Sequence, residues 1–441
     1  MYVKKKCYLC TLIFIAHVNM HVKHSTILRN MASLWLVQLA NYLIPILVIP
    51  FVTRALGVDS FGKVALAQNI VSYLAILINF GFDYSATQDI ATHRQDMRCV
   101  RVIFKTVMGS KCVLFGVSMA VMAVLYGLYA PVHADPWLYF WAAMFNLGFV
   151  LFPTWFYQGM EKMGVMSLFN FATKAVGAVL IIVLVRKTSD YVLYMAIQTL
   201  VSVVVGSCAL GYIVRRYRIC SSRDRDRVLS CEVLKKSAPV FVTNLAGSLY
   251  NALGITMLGA FLTQSVVGVY AGSQKIVQAC IVMSAMPFSV AIFPRMSQYF
   301  HTNTRMGWQF LCKAMCIAFV AGMVLTPCLY VAAPWLVEWL LGNEFSDAVG
   351  QVRMLSAMPF LVLVGTMLLV QGLYGTQQQR LAPYIMVCTG GLSALLNYWL
   401  VPMMGATGCI VAWYVAETAE IVIVSIVLLR RYCKDRKAWS A

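Results

Sequence analysis

The stretch that decides the fold runs from Trp35 to Asp96, and its most informative part reads Gln38-Leu39-Ala40-Asn41-Tyr42-Leu43-Ile44-Pro45, followed by Arg54-Ala55-Leu56-Gly57 and Phe61-Gly62. Residues 32–52 carry no charged side chain. A helix of about 20 such residues, rising about 1.5 Å each, crosses a hydrocarbon core of roughly 30 Å. Prolines are tolerated in such helices because neighbouring helices satisfy the freed carbonyl groups. The stretch therefore predicts two membrane-spanning helices joined by a short turn at Gly57.

The composition of the whole chain agrees with a membrane protein. The 441 residues are 61% hydrophobic and 12% charged, with a mean hydropathy of +0.76, whereas about a quarter of the residues of a soluble domain are charged. We therefore predict an all-α polytopic membrane protein. About twelve transmembrane helices are predicted, near residues 32–52, 62–82, 106–129, 136–157, 165–185, 191–213, 237–262, 266–286, 312–333, 354–374, 381–401 and 406–429.

The formal net charge is +19, and most of the 35 lysines and arginines lie in a few segments outside the predicted helices. The main segments are 4–29, 94–105, 214–236 and 430–437. Basic residues are concentrated on the cytoplasmic side of membrane proteins, so both termini and segment 214–236 are predicted to be cytoplasmic. The basic surplus is interpreted as a topology signal, and no nucleic-acid partner is predicted.

Polar stretches divide the chain into five predicted segments. Residues 27–213 and 237–431 are predicted to form two six-helix bundles, joined by the cytoplasmic basic connector 214–236 and followed by a basic cytoplasmic tail, 432–441. Residues 1–26 are predicted to be an N-terminal extension, because its apolar run is too short to span a membrane, and residues 1–19 of it are expected to be dispensable. The spacing Cys7-x2-Cys10 and His21-x2-His24 in this extension is interpreted as a chance imitation of a zinc site.

The two predicted bundles show a weak internal similarity. Gly62, Ala65 and Gln68 align without gaps with Gly268, Ala271 and Gln274 at one constant offset. Short matches of this kind also arise by chance in apolar sequence, but here they fall on either side of the basic connector. A duplicated six-helix unit is common in secondary transporters, where the substrate path lies between the two halves.

Three lysines lie deep within predicted helices: Lys111, Lys174 and Lys275. A lysine at the centre of a membrane helix costs about 2.5 to 3.5 kcal/mol, so it normally faces a cavity or a partner. Lys111 is only roughly 7 Å from the cytoplasmic end of its helix, and its side chain is expected to reach the interface. Lys174 and Lys275 are deeper and are predicted to face a polar lumen, with a structural pairing as the alternative.

Acidic side chains within the predicted helices are rarer. Glu417 and Glu420 lie on one face of the last helix at i,i+3 spacing. They are predicted either to neutralise a lysine across the bundle or to carry a proton during transport. Asp83, where the second helix leaves the membrane, is a further candidate for ion coupling.

Arg54 and Arg295 follow similar sequences at two helix ends. Each is expected either to contact a phosphate group, which suits a planar guanidinium, or to anchor its helix at the interface. Trp155 and Tyr157 are interpreted as aromatic residues of the membrane interface, with sugar stacking as the alternative.

The fourteen cysteines are scattered, mostly within apolar stretches, and are predicted to be buried reduced thiols; examples are Cys112, Cys208, Cys312 and Cys388. The sequence contains no Walker motif, no dinucleotide fingerprint and no Ser-His-Asp candidate set in a soluble domain. No catalytic residue, cofactor or metal site is therefore predicted, and the chain is not expected to be an enzyme.

Four motifs resemble the signature of bacterial O-antigen flippases, the Wzx-type polysaccharide exporters of the MATE-like flippase superfamily: 41–45, 54–57, 79–91 and 153–161. The similarity extends from about Ile27 to Arg431. It implies two V-arranged six-helix bundles and an activity without chemistry on the substrate. This sequence departs from the family at Asn79 and Gln88, where relatives usually carry an acidic and a basic residue, so an ion pair is not expected there.

The cargo implied by the resemblance is an undecaprenyl-diphosphate-linked oligosaccharide, moved from the cytoplasmic to the periplasmic leaflet of the bacterial inner membrane. Lys174, Lys275, Lys111, Arg54 and Arg295 are the candidate substrate-binding residues. Implied partners are the lipid bilayer, a polysaccharide polymerase and chain-length proteins.

Two rival functions stay open at this point. A multidrug or ion antiporter of the same fold would use acidic cavities, for which Glu417 and Glu420 are the available residues. A membrane glycosyltransferase or polymerase would need catalytic acids in a large outer loop. The longest predicted outer loop, 334–353, carries Glu338, Glu344 and Asp347.

Overall fold

A computed structural model describes residues 44–219 and 231–440. The predicted N-terminal extension, its Cys and His spacing, the first half of the first predicted helix and most of the connector lie outside these ranges. The described residues contain no strand. Ten of their helical segments are long and apolar enough to cross a membrane.

The first of these segments contains two predicted helices. Helix α1 covers residues 44–79, but Gly57 within it has a φ of +68°, which is the left-handed region that only glycine adopts readily. Pro45 and Gln68 line the same cavity, although 23 residues of straight helix would separate them by about 35 Å. The chain therefore reverses at Gly57, as predicted, into a first arm (44–56) and a second arm (58–79).

The remaining helices of the first half are α2 Phe82–Thr92, α3 Met97–Leu128, α4 Ala130–Ala134, α5 Pro136–Leu151, α6 Thr154–Gly159, α7 Met163–Leu184 and α8 Tyr191–Tyr217. Those of the second half are α9 Cys231–Phe261, α10 Gln264–Thr302, α11 Thr304–Leu340, α12 Ala348–Met354, α13 Met358–Thr366, α14 Ala382–Met404 and α15 Ala406–Ser440. The two arms of α1 belong to one of the ten candidate spans, and the 31-residue α9 is not among the ten. Counting the two arms separately and adding α9 gives the twelve predicted helices.

Two predicted helices are interrupted in the structure. The helix predicted at 136–157 breaks at Phe152, and α6 starts after Pro153, because a proline cannot donate the backbone hydrogen bond of a helix interior. The helix predicted at 354–374 consists of α13 and a π-helical segment, Met367–Leu373. In contrast, α10, α11 and α15 are longer than predicted, since hydropathy detects only the apolar part of each helix.

The second arm of α1 and the start of α10 cross at two glycines. A Cβ atom on Gly62 would lie 2.0 Å from the Gln264 carbonyl oxygen, and one on Gly268 would lie 2.2 Å from the Val58 carbonyl oxygen. Ser265 Oγ donates a hydrogen bond to Asp59 Oδ1 at 2.5 Å, between positions 206 residues apart. This is the offset of the internal similarity. Residues that contact their own counterparts lie on a two-fold axis, so a pseudo-two-fold axis passes through this crossing.

The crossing lies at one end of the molecule, which we call the Gly57 end. The opposite end, where α2, α6 and the start of α9 meet, is called the connector end. A single hydrophobic cluster unites both halves towards the Gly57 end, with members such as Leu56, Phe61, Val267, Leu341 and Phe345. Separate clusters hold each half towards the connector end, around Phe104 and Trp155 in one half and around Phe300 and Trp308 in the other.

Contacts also link the halves at the connector end. Asp89 forms an ion pair with Lys236, and the hydroxyl groups of Ser85 and Ser237 lie 2.6 Å apart. These contacts involve only α2 and the start of α9, which follows the connector.

The interpretation of Trp155 and Tyr157 as interfacial aromatic residues is wrong. Trp155 is fully buried, with its ring centroid 5.5 Å from that of Phe104. Tyr157 is 1% exposed and donates its hydroxyl proton to the Ala209 carbonyl oxygen at 2.8 Å. The break at Pro153 turns α6 inwards, which converts an apparent helix end into core.

The prediction that the cysteines are buried is also wrong for several of them. The thiols are free and exposed on the protein surface at Cys112, Cys208, Cys312 and Cys388. All four lie within transmembrane helices, so their exposed surface faces the apolar surroundings of the bundle. An apolar sequence context alone does not separate the core of a membrane protein from its lipid-facing surface.

Candidate functional site: a cavity between the two halves

A cavity of about 390 Å³ lies between the two halves. Its wall is formed by both arms of α1, by α5, α7 and α8 of the first half, and by α10 of the second half. Most of the lining is apolar, including Ile44, Ile49 and Val52. The described polar side chains of its lining are Gln68, Thr173, Lys174, Tyr194, Gln198, Lys275 and Gln278.

The structure brings Lys174 and Lys275 to this one cavity, although they come from α7 and α10 in different halves. The Lys275 ammonium lies 4.8 Å from the centroid of the Phe61 ring, which is within the range of a cation–π interaction. In the described part of the chain, no carboxylate lies within 4.0 Å of either ammonium. Among the residues that the structure describes, the two lysines of the cavity therefore have no carboxylate partner.

Lys111 lies elsewhere, and the expectation that it reaches the interface is wrong. Its side chain is 1% exposed. Its ammonium donates a hydrogen bond to Asn79 Oδ1 at 2.7 Å and lies 4.0 Å from Asp83 Oδ1. Asp83 also accepts a hydrogen bond from Thr154 Oγ1 at 3.2 Å. This network joins α1, α2, α3 and α6 within the first half, and Lys111 does not line the cavity.

Glu417 and Glu420 line a second cavity, of about 170 Å³, formed by α10, α13, α14, α15 and the π-helical segment. Both are buried, at 5% and 6% exposure. Gln278 lines this cavity as well as the first one. The lysines and the glutamates therefore occupy neighbouring cavities. An ion pair of either glutamate with Lys174 or Lys275, which was one of the two predicted alternatives, is absent from the described residues.

Arg54 and Arg295 are not brought together. Arg54 Nη2 donates a hydrogen bond to the Trp339 carbonyl oxygen at 3.1 Å, next to Thr53, whose hydroxyl donates to the Leu340 carbonyl oxygen at 3.2 Å. Both contacts connect α1 to the end of α11, so Arg54 joins the two halves at the Gly57 end. Arg295 is exposed on α10, about 30 Å along the helix from Lys275.

The polar residues missed by sequence reasoning are the glutamines of the cavity. Gln68 Nε2 donates a hydrogen bond to Gln198 Oε1 at 3.2 Å across 130 residues of sequence. Neutral amides are common in membrane helices, and no spacing rule links two of them on different helices. The one available signal was Gln68 itself, which belongs to the internal similarity.

A family model described as "Polysaccharide biosynthesis protein" matches residues 27–300. The chain belongs to this family. The match covers the first half, the connector, α9 and all but the last two residues of α10, and so includes both lysines of the cavity. Membership agrees with the resemblance found in the four sequence motifs.

Two curated relatives in Escherichia coli (strain K12) and Shigella dysenteriae are each named "Putative O-antigen transporter". The first is 26% identical over 403 residues, covering 90% of this chain and 95% of the relative. The second is 24% identical over 390 residues, covering 87% and 95%. Both are named as transporters, which agrees with the prediction that this family member is not an enzyme.

Solved structures confirm the predicted MATE-like fold. The chain superposes on the inward-facing conformation of a multidrug resistance MATE family transporter of the MOP superfamily with a TM-score of 0.69, 15% identity and coverage of 92% of this chain and 99% of that one. The outward-facing conformation of such a transporter gives a TM-score of 0.53 at 17% identity, with coverage of 93% and 96%.

Proposed function

We propose that this protein is a flippase that moves an undecaprenyl-diphosphate-linked oligosaccharide, the repeat unit of O-antigen or a related surface polysaccharide, from the cytoplasmic to the periplasmic leaflet of the bacterial inner membrane. The observation that carries the proposal is the cavity between the halves with Lys174 and Lys275 in its wall. The family and the names of the two relatives support it.

The positive charge of the cavity favours a cargo with a negative charge. Two ammonium groups without a nearby carboxylate attract a diphosphate, and this attraction is stronger in an apolar cavity than in water. The same charges repel a cationic drug, so they favour an anionic cargo over the substrates of a multidrug antiporter. The volume of about 390 Å³ is in the usual range for a site that holds a small ligand or part of a larger one.

The direct test is a strain that lacks this gene. Lipid-linked repeat units should accumulate in the inner leaflet, and surface polysaccharide should disappear, because the polar glycan cannot cross the hydrocarbon core unaided. Leaflet location is measured by accessibility of the glycan to an impermeant oxidant in intact spheroplasts. Accumulation in the outer leaflet would show instead that the protein acts after translocation, as a polymerase would.

The proposed orientation places the connector end in the cytoplasm and the Gly57 end in the periplasm. Lys162 lies beside α6 at the connector end, and Lys187 precedes Thr188, whose side chain contacts the Gly57 region. In a variant without native cysteines, Lys187→Cys should react with an impermeant maleimide added to intact spheroplasts, whereas Lys162→Cys should react only after permeabilisation. The reverse pattern would invert the proposed direction of transport.

We further propose that Glu420 couples transport to an ion gradient. Its carboxyl group is 6% exposed and lines the second cavity, and no hydrogen bond or ion pair joins it to another described side chain. A buried carboxyl group of this kind is a site for a proton or another cation.

In proteoliposomes, a pH gradient should accelerate translocation of the lipid-linked glycan by the native protein. In the Glu420→Gln variant this acceleration should be about tenfold smaller, because glutamine cannot ionise. The matched control is Glu338→Gln, at an exposed glutamate of α11, which should respond to the gradient as the native protein does. An unchanged response in Glu420→Gln would exclude this carboxyl group as the coupling site.

A further inference from the structure

Two glutamines from different helices meet at the cavity wall. Gln68, on the second arm of α1, and Gln198, on α8, are hydrogen-bonded at 3.2 Å. Tyr194 lies about one turn before Gln198 on α8. All three side chains line the same cavity as Lys174 and Lys275. The cavity therefore combines a cationic part with a neutral polar part.

The amide pair keeps hydrogen-bonding capacity for a ligand. A glutamine amide has two N–H donors and an oxygen that accepts two hydrogen bonds. The contact between the two residues uses one donor of Gln68 and one acceptor site of Gln198. Both side chains are only half buried, so their other donors and acceptors are accessible from the cavity.

This chemistry matches a sugar better than a phosphate. Sugar hydroxyl and acetamido groups both donate and accept hydrogen bonds, as amides do, whereas a diphosphate only accepts them and is bound best by cationic donors. A ligand that carries both a sugar and a diphosphate would therefore bind in this cavity with its phosphates at the lysines and its sugar at the amides.

We infer that Gln68 and Gln198 select the sugar next to the diphosphate. The inference rests on the proposed function, because it requires a glycosylated diphosphate in the cavity. It assigns the choice of sugar to neutral residues of the first half and the general affinity for the carrier to the lysines.

The test measures the affinity of the purified full-length protein for two probes. One is undecaprenyl diphosphate, and the other is the same carrier bearing a single N-acetylhexosamine. The native protein should bind the glycosylated probe about tenfold more tightly, as one or two neutral hydrogen bonds allow. Gln68→Leu and Gln198→Leu should lose this preference and keep the native affinity for undecaprenyl diphosphate.

The unchanged affinity for undecaprenyl diphosphate also shows that a variant is folded. If the leucine variants do not fold, Gln68→Asn and Gln198→Asn retract the amides by one methylene group and should reduce the preference in the same direction. The matched control is Gln88→Leu, at an exposed glutamine of α2 outside the cavity, which should keep the native preference.

Each other outcome has a distinct meaning. Equal binding of both probes by the native protein would overturn the role of the amides and leave the cationic site in place. An equal loss of affinity for both probes in the variants would show that the amide pair only joins α1 to α8. Absence of binding of either probe to the native protein would overturn the proposed function itself.

Discussion

Lys174→Glu and Lys275→Glu should each stop export of the surface polysaccharide. Two like charges about 4 Å apart repel by about 4 kcal/mol at the effective dielectric of a partly hydrated site. Each variant also removes one of the two positive charges of the cavity. We therefore expect export to fall at least ~100-fold and lipid-linked repeat units to accumulate in the inner leaflet.

Arginine at the same positions should preserve much of the activity. It keeps the positive charge, and at position 275 it can also interact with the Phe61 ring, which now lies 4.8 Å from the lysine ammonium. The measurement is surface glycan per unit of folded protein in the membrane. Lys162→Glu, at an exposed lysine, is the charge-reversal control. Full export by both cavity variants at native protein levels would show that the lysines have a structural role only.

Gly62→Ala should prevent the Gly57 end from closing. Its Cβ atom would lie 2.0 Å from the Gln264 carbonyl oxygen and 2.8 Å from the Gly268 nitrogen. Both are backbone atoms, so the two helices must separate. Overpacking of this kind costs about 1 to 3 kcal/mol, which lowers the population of the closed arrangement by roughly 5- to 150-fold. A transporter that cannot close one end should lose most of its export activity.

Closure can be measured by cross-linking across the crossing. In a variant without native cysteines, Asp59→Cys and Ser265→Cys should form a disulfide on oxidation, because the native side chains are in contact at 2.5 Å. Adding Gly62→Ala should suppress this disulfide. The control is Gly116→Ala on α3, where nothing lies within 4 Å of the added Cβ atom. Equal cross-linking with and without Gly62→Ala would mean that the crossing tolerates the methyl group and does not form a tight closure.

Several features of the site were predictable from single residues. The reversal at Gly57 followed from a glycine after an uncharged stretch of spanning length. The placement of Lys174 and Lys275 followed from the energetic cost of a charge in hydrocarbon, which leaves a cavity as the main alternative to a partner. The similarity of Gly62 to Gly268 indicated a duplicated unit, but the contact between these two glycines was not predicted and became visible only in the structure.

Other features depend on contacts that hydropathy does not encode. Lys111 and Lys174 have similar apolar flanks, yet one is held by Asn79 in a polar network and the other lines the cavity. The hydrogen bond between Gln68 and Gln198 depends on how α1 packs against α8. Trp155 became part of the core because one proline redirects a short helix, and this change in direction has no counterpart in the periodicity of apolar residues.

Gln278 belongs to the walls of both cavities, and this shared side chain has a thermodynamic consequence. Any reorientation that one occupant imposes on the amide changes the surroundings of the other occupant. Linkage is reciprocal: if an ion bound near Glu420 changes the affinity of the first cavity for its anion by some factor, the anion changes the affinity for that ion by the same factor. Filling the cavity of Lys275 should therefore be accompanied by a measurable uptake or release of that ion in solution.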